Sequence, residues 1–204
     1  MKRPGTVWLP LVALLTALPA RAALITFDFE GFADSTLVGS TYSAQGAIFT
    51  NALAITAGLS LNDAEFPPRS GLNAAFDGAG PIRIDFSGLA GSFGAYFTYA
   101  ARLHVAAFNS ANLQVGSATS AFSSNFVSSG NSPNELLQIV FGAGIAHIVI
   151  TGDAAGGSFV MDDVSFDTTI QSGGGGIPEP RTTGLCLVGL LGIAAAGYRR
   201  RDRR

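Results

Sequence analysis

The sequence contains a single cysteine, Cys186, and a single tryptophan, Trp8, among its 204 residues. One cysteine excludes an intramolecular disulfide, so any folded domain must be held together by its hydrophobic core. Trp8 lies in an apolar stretch near the N-terminus. The rest of the chain therefore lacks the aromatic side chain with the largest stacking surface.

Basic residues are scarce in the middle of the chain. Between Ala23 and Ile177 there are only three, Arg69, Arg83 and Arg102, against twelve acidic residues, a balance of −9. This balance excludes nucleic-acid binding, because phosphate backbones require basic patches. An acidic surface favours solubility and can supply oxygen ligands to hard cations.

Recognisable catalytic arrangements are missing as well. The sequence has no Gly-x-Ser-x-Gly elbow, no histidine pair with metal-ligand spacing and no candidate catalytic cysteine. His104 and His147 fall in separate predicted strands, and a structural role is expected for each. Several carboxylates are available for a glycosidase pair, but no spacing selects two of them. We therefore predict a non-enzymatic protein.

The first 22 residues have the three parts of a secretory signal peptide. Lys2 and Arg3 give a positive start, and residues 7–18 form a short apolar stretch. Ala20 and Ala22 form an A-x-A cleavage site, which predicts Ala23 as the first residue of the mature chain. The sequence therefore predicts export through the inner membrane.

The last 28 residues, 177–204, carry three further signals in a fixed order. Pro178, Glu179 and Pro180 come first. The apolar run 182–198 predicts a single transmembrane helix of about 25 Å. An arginine cluster follows and is expected on the cytoplasmic side; it consists of Arg199, Arg200, Arg201, Arg203 and Arg204. Residues 171–176, rich in glycine and serine, predict a flexible linker before this tail.

The tail resembles the PEP-CTERM sorting signal of exported Gram-negative bacterial proteins. The resemblance rests on Pro178-Glu179-Pro180, the short apolar run and the arginine-rich end. It implies recognition by an exosortase-type membrane protease and transfer to the cell surface or extracellular space, often alongside exopolysaccharide. The alternative interpretation is an ordinary C-terminal anchor that is never cut. Other C-terminal signals likewise have a hydrophobic tail that is removed from the mature protein.

Residues 23–170 predict one all-β domain, because turn signals recur about every ten residues and no long segment has a 3.6-residue period. We predict a jelly-roll sandwich of nine to eleven strands, with Phe27 of the first strand beside Val164 of the last. A long connection is expected over residues 58–80, and hairpin turns at 142–144 and 152–157. The predicted strands cover residues 24–30, 47–50, 53–56, 82–86, 92–99, 103–108, 113–115, 122–127, 136–141, 145–151 and 158–166. A looser similarity to other PEP-CTERM proteins suggests a galactose-binding-like sandwich.

In the last predicted strand, the alternation of side chains conflicts with the exclusion of charged groups from the core. Simple alternation places Asp162 on the same face as Val160, Val164 and Phe166, so a carboxylate would point into the core. A buried carboxylate needs a partner. One hypothesis is a calcium ion, and carbohydrate-binding jelly rolls, which the domain resembles, often tie the first strand to the last with one; its ligands here would be Asp28, Glu30, Asp162 and Asp163. The alternatives are that Asp162 accepts backbone donors, pairs with Arg83 or is turned outward by a bulge.

Tyr96 and Tyr99 are candidate sugar-stacking residues. Alternation places Phe93, Phe97 and Tyr99 on one face of their strand and Tyr96 on the other. Taken together, the sequence predicts a non-enzymatic cell-surface or extracellular-matrix protein, sorted by its PEP motif and associated with exopolysaccharide. The alternative function is a calcium-stabilised carbohydrate-binding module.

Overall fold

The computed structural model describes residues 23–168. The predicted signal peptide, the linker and the PEP tail, with its candidate span 182–198, lie outside the described residues. Within residues 23–168, no helix has both the length and the apolar character needed to cross a membrane.

The described part of the chain is all β, apart from two short 3-10 helices at Ser43–Gln45 and Val127–Ser129. Ten strands were found there, within the predicted range of nine to eleven. Their bounds are β1 Leu24–Phe27, β2 Thr36–Leu37, β3 Ala47–Thr50, β4 Ala52–Thr56, β5 Asn73–Asp77, β6 Ile82–Tyr99, β7 His104–Phe108, β8 Gln114–Thr119, β9 Glu135–Thr151 and β10 Phe159–Thr168.

Two long strands, β6 and β9, connect the two layers of a sandwich-like fold. The hydrogen-bonded order is β2-β4-β5-β10-β6-β9-β7-β8, with β1 added beside β10 and β3 beside β6, and every pair is antiparallel. The first part of β6 pairs with β3 and with the end of β9. Its last part pairs with β10 and with the start of β9. Register shifts after Asp85 and Ala90 separate these two parts of β6.

Strand β10 lies in the middle of its layer. It pairs with β6 on one side, and with β5 and then β1 on the other. Phe27 pairs with Val164, which confirms the predicted contact between the first and last strands. The core consists of buried side chains from both layers, including Phe27, Phe93, Phe97 and Phe166.

A β-bulge at Asp163 resolves the conflict in β10. Asp162 pairs with Tyr96 and Ser165 pairs with Gly94, so β10 advances three residues while β6 advances two. Asp163 is the extra residue, and its φ of 47° is in the left-handed region. Simple alternation was therefore wrong about Asp162, which shares its face with Val160 and Tyr96 but not with Val164 and Phe166. Met161, Val164 and Phe166 belong to the core, and Val160 belongs to a separate cluster on the outer face of the layer.

Other strand predictions also differ from the structure, in part because glycine was taken as a turn signal. Residues 142–144 lie inside β9, and residues 82–99 form one strand rather than two. Strand β5 lies inside the predicted long connection. Residues 122–127 form no strand in the structure. The actual connection before β5 is residues 57–72, here called the covering loop.

The bulge predicts a specific response to substitution at Asp163. Valine and glycine both remove its side-chain bond, but only valine is strained at a positive φ. We expect Asp163→Val to be less stable than Asp163→Gly by about 1–2 kcal/mol in chemical denaturation. The same pair of substitutions at Asp153, a turn residue outside the positive-φ set, is the control. Equal stability of the two Asp163 variants would contradict the left-handed bulge.

Candidate functional site

The covering loop crosses the outer face of the layer formed by β4, β5, β10 and β6. Leu61 of this loop is buried against Ile55, Ala74 and Val160, and Phe66 packs on the same cluster. Further along, Ser70 N–H donates to Asp162 Oδ2 at 2.8 Å. The loop is thus attached to the sheet by an apolar contact at one end and by a buried carboxylate at the other.

Asp162 is 2% exposed, and its carboxylate accepts backbone donors. Besides Ser70, the N–H of Asp163 donates to Oδ1 at 2.7 Å. Burial raises the pKa of Asp162 to about 6, although the backbone donors of Ser70 and Asp163 oppose this shift. Of the three alternatives to calcium, two are observed: backbone donors cap Asp162, and the bulge at Asp163 turns it out of the core toward the covering loop. Arg83 does not pair with Asp162 and instead binds Asp85, with Nε to Oδ2 at 2.8 Å.

The other predicted calcium ligands also accept protein donors. Glu30 Oε1 accepts the N–H groups of Leu72 at 2.9 Å and Asn73 at 2.8 Å. Gly71 makes this approach possible, because a Cβ at that position would lie 2.3 Å from Glu30 Cδ. Asp28 Oδ1 accepts Glu30 N–H at 3.2 Å, and Asp163 Oδ1 accepts Ser70 Oγ at 2.9 Å.

Three of these acids, Asp28, Glu30 and Asp162, act electrostatically on the phenol of Tyr42. Burial raises its pKa first, and the negative charges of Asp28, Asp162 and Glu30 raise it further. Residues 23–168 contain no group of three acidic, histidine or cysteine side chains placed to hold an ion. Asp162 is satisfied without a cation. Calcium binding stays a prediction, which calorimetric titration with Ca²⁺ would test.

Tyr96 lies half-buried on the outer face, beside the covering loop. The guanidinium carbon of Arg69 stands 4.6 Å from the centroid of its ring. Across the strands, Tyr96 pairs with Asp162 on one side and with Leu136 on the other. Stacking of a planar guanidinium on an aromatic ring is a cation–π contact, and it fixes the orientation of the Arg69 donors.

Exposed side chains of β9 extend this surface. Gly94 pairs with Gln138 and Ser92 pairs with Val140, so Leu136, Gln138 and Val140 share the face of Tyr96. Leu136 is 41% exposed and Val140 is 78% exposed. Gly94 lets Gln138 pack closely over the strand, because a Cβ there would come within 3.1 Å of Gln138 Cγ. We call this surface the Tyr96 platform; it consists of Arg69, Tyr96, Leu136, Gln138 and Val140.

The structure does not support Tyr99 as a stacking residue. Its side chain is fully buried, and its hydroxyl donates to the carboxylate of Glu135. Neither face of the ring is available to a ligand. Tyr99 shares the core with Phe93 and Phe97, and Tyr96 lies on the opposite face, as strand alternation predicts.

Sequence reasoning missed the partners of Tyr96. A signal was present in residues 136–141, where an uninterrupted apolar-rich strand must expose every second side chain if only one face is covered. Arg69 gave a weaker signal as one of three central arginines, directly after Pro67 and Pro68. The two histidines lie elsewhere. His104 is exposed on β7, and His147 stacks on Phe108 with ring centroids 4.7 Å apart.

Comparison with known proteins adds little to this geometry. No protein-family model matches the sequence, and no curated protein matches it. The K2 cleaved adhesin domain of Lys-gingipain is a similar solved structure, with 13% identity, a TM-score of 0.45 and coverage of 71% of this chain and 99% of that one. A mutant family 29 carbohydrate binding module is another, with 13% identity, a TM-score of 0.40 and coverage of 72% and 93%.

A family 35 carbohydrate binding module from Clostridium thermocellum is also similar, with 15% identity, a TM-score of 0.33 and coverage of 71% of this chain and 98% of that one. Similarity at these levels says nothing about the ligand of this chain.

Ionisation of Asp162 predicts a loss of stability with rising pH. The folded state binds this proton more tightly than the unfolded chain, whose carboxyl has a pKa of 3.8. The extra proton therefore stabilises the fold at low pH, and this contribution is lost as pH rises from about 4 to about 6. We expect Asp162 to lower the free energy of unfolding by about 2 kcal/mol across this window.

The Asp162→Asn variant should show a flatter pH dependence than the wild type, measured by urea denaturation in the presence of EDTA. Its absolute stability is not the readout, because the amide replaces one acceptor oxygen by a donor. Burial also raises the pKa of Asp77, so part of the slope should remain in the variant. Exposed Asp63→Asn is the matched control. An unchanged slope in Asp162→Asn would contradict the assignment to Asp162.

Proposed function

We propose that this protein is exported and that its β-sandwich binds polysaccharide at the cell surface through the Tyr96 platform. The observation that carries the proposal is the stacked Tyr96–Arg69 pair beside exposed apolar and amide side chains on one sheet face. A sugar ring offers apolar C–H faces to an aromatic or aliphatic surface and hydroxyls to polar groups. The Tyr96 platform presents both kinds of surface.

The shape of the platform favours a chain over a single sugar. Leu136, Gln138 and Val140 extend along β9 for about 13 Å, at about 3.3 Å per residue. The surface is open at this row, since Gln138 and Val140 are exposed. An extended polymer would contact the whole row, whereas one sugar ring would contact only part of it.

The proposed activity is binding and not catalysis, and the finer fold assignment in this proposal is a galactose-binding-like jelly roll. A calcium ion held by Asp28, Glu30, Asp162 and Asp163 would make the module calcium-stabilised. Polysaccharide binding does not depend on that ion, because the platform residues are held by strand pairing and by the covering loop.

The location of the protein is proposed from its ends. Residues 1–22 would direct export, and the tail would then be recognised at Pro178-Glu179-Pro180 by an exosortase-type protease. Cleavage near this motif would release the sandwich from the inner membrane to the cell surface or extracellular matrix. The support is the order of motif, apolar run and arginine cluster.

Polysaccharide binding is tested by affinity electrophoresis in gels containing extracellular polysaccharide from the producing cells. We expect retardation of the wild type, and at least about tenfold weaker binding for Tyr96→Ala, which removes the ring from the platform. Arg69→Ala should weaken binding as well, since it removes the donors held above the ring. His104→Ala, an exposed substitution on β7, is the control. Equal retardation of wild type and Tyr96→Ala would refute the platform.

Sorting is tested by cell fractionation and mass spectrometry of the mature C-terminus. We expect wild type to reach the surface or medium after loss of the apolar run. A variant with Pro178, Glu179 and Pro180 all changed to alanine should remain uncut in the membrane fraction. This variant keeps the apolar run and the arginines, so it separates sorting from simple anchoring. If wild type and variant are both uncut and distributed alike, the tail is an ordinary anchor.

A further inference from the structure

A concave site lies on the outer face, between the covering loop and strands β4, β5 and β10. It is a cavity of about 280 Å³, separate from the Tyr96 platform, and we call it the outer cleft. Its apolar walls are formed by Leu53, Ile55, Leu61, Phe66, Phe76 and Val160.

The walls of the outer cleft are held in place by the fold. Leu53 pairs with Phe76, and Phe76 pairs with Val160, so the floor is a row of side chains across three adjacent strands. Phe66 stacks on Phe126 with ring centroids 5.8 Å apart, and its N–H donates to the carbonyl of Asn62 at 2.8 Å. The cleft is therefore formed before any ligand arrives, which lowers the entropy cost of binding.

A carboxylate lies next to the polar part of the outer cleft. Ser35 and Ser60 line the cleft, and both hydroxyls donate to the carboxylate of Asp34, which is not itself a lining residue. Thr56 N–H donates to the same carboxylate at 2.8 Å. The hydrogen bond from Ser60 lowers the pKa of Asp34, so this carboxylate is ionised at neutral pH. None of the residues that line the cleft is basic.

We propose that the outer cleft binds a small aromatic compound that is neutral or cationic. An apolar cavity of about 150 Å³ is large enough for benzene, so this cleft accommodates a ring with a short substituent. Phe66 and Phe76 can contact such a ring edge-on or face-on. A bare sugar fits poorly, because most of the lining is apolar and only Ser35, Ser60 and Asn62 offer side-chain partners to its hydroxyls. An anion would be repelled by Asp34, which binds the lining residues Ser35 and Ser60.

The proposal is tested with three probes that share one ring: 4-methylbenzyl alcohol, 4-methylbenzylamine and 4-methylbenzoate. Each is titrated into the full chain while the methyl NMR signals of Ile55, Leu61 and Val160 are followed. We expect the alcohol and the amine to shift these signals, with at least about tenfold weaker binding of the benzoate. In Asp34→Asn the benzoate should approach the affinity of the alcohol.

A blocking variant provides a second criterion. Leu53→Trp adds a large side chain at a half-buried wall position and should abolish the shifts. Leu113→Trp, at an exposed position before β8, should leave affinity within about twofold of wild type. If Leu53→Trp fails to fold, the titration of the three probes into the wild type still tests the proposal. The proposal is overturned if no probe shifts these methyl signals up to its solubility limit, if the benzoate binds as well as the alcohol, or if folded Leu53→Trp binds like wild type. None of these results tests polysaccharide binding at the Tyr96 platform, so the two proposals can fail independently.

Discussion

The carboxylate of Asp162 is buried on the outer face of a sheet, and a buried carboxylate persists only if donors reach it. Here one donor is the N–H of Ser70, 92 residues earlier in the chain. This bond fixes the end of the covering loop over β10. It also sets the position of Arg69, the preceding residue, above the Tyr96 ring. The bulge at Asp163 belongs to the same arrangement, because it lets Val164 and Phe166 face the core while Asp162 faces the loop.

Asp162 is one example of how this acidic domain uses its charge. Of the twelve acidic residues between Ala23 and Ile177, ten accept at least one backbone N–H; they are Asp28, Glu30, Asp34, Asp63, Glu65, Asp77, Glu135, Asp153, Asp162 and Asp167. Loops in a β-sandwich leave backbone donors that strand pairing does not use. Carboxylates that accept these donors explain how the domain carries a balance of −9 with so few basic partners. An acidic composition was therefore a weak argument for calcium.

Strand alternation predicted much of the fold, because residues such as Phe27, Phe93 and Phe97 follow a period of two and face one core. It failed where the backbone departs from that period. One extra residue at Asp163 exchanges the faces of the strand, and neither composition nor spacing marks such a bulge. Gly142 and Gly144 were taken as turn residues, but β9 continues through them and connects the two layers. At the candidate site, Tyr96 was predicted as one of two tyrosines able to stack on a sugar. Arg69 and Gln138 were not predicted, because they come from segments whose proximity depends on strand order and loop path.

The covering loop also explains why one sheet face carries two different surfaces. Where the loop packs on β4, β5 and β10, its apolar side chains and the strands enclose the outer cleft. Past Ser70 the loop no longer covers β9, and the sheet is left open at Leu136, Gln138 and Val140. A concave apolar cleft selects by size and desolvation, while an open mixed surface selects by stacking and hydrogen bonds. The two surfaces therefore suit ligands of different chemistry, and a change in either one can be tested without removing the Ser70–Asp162 bond that supports both.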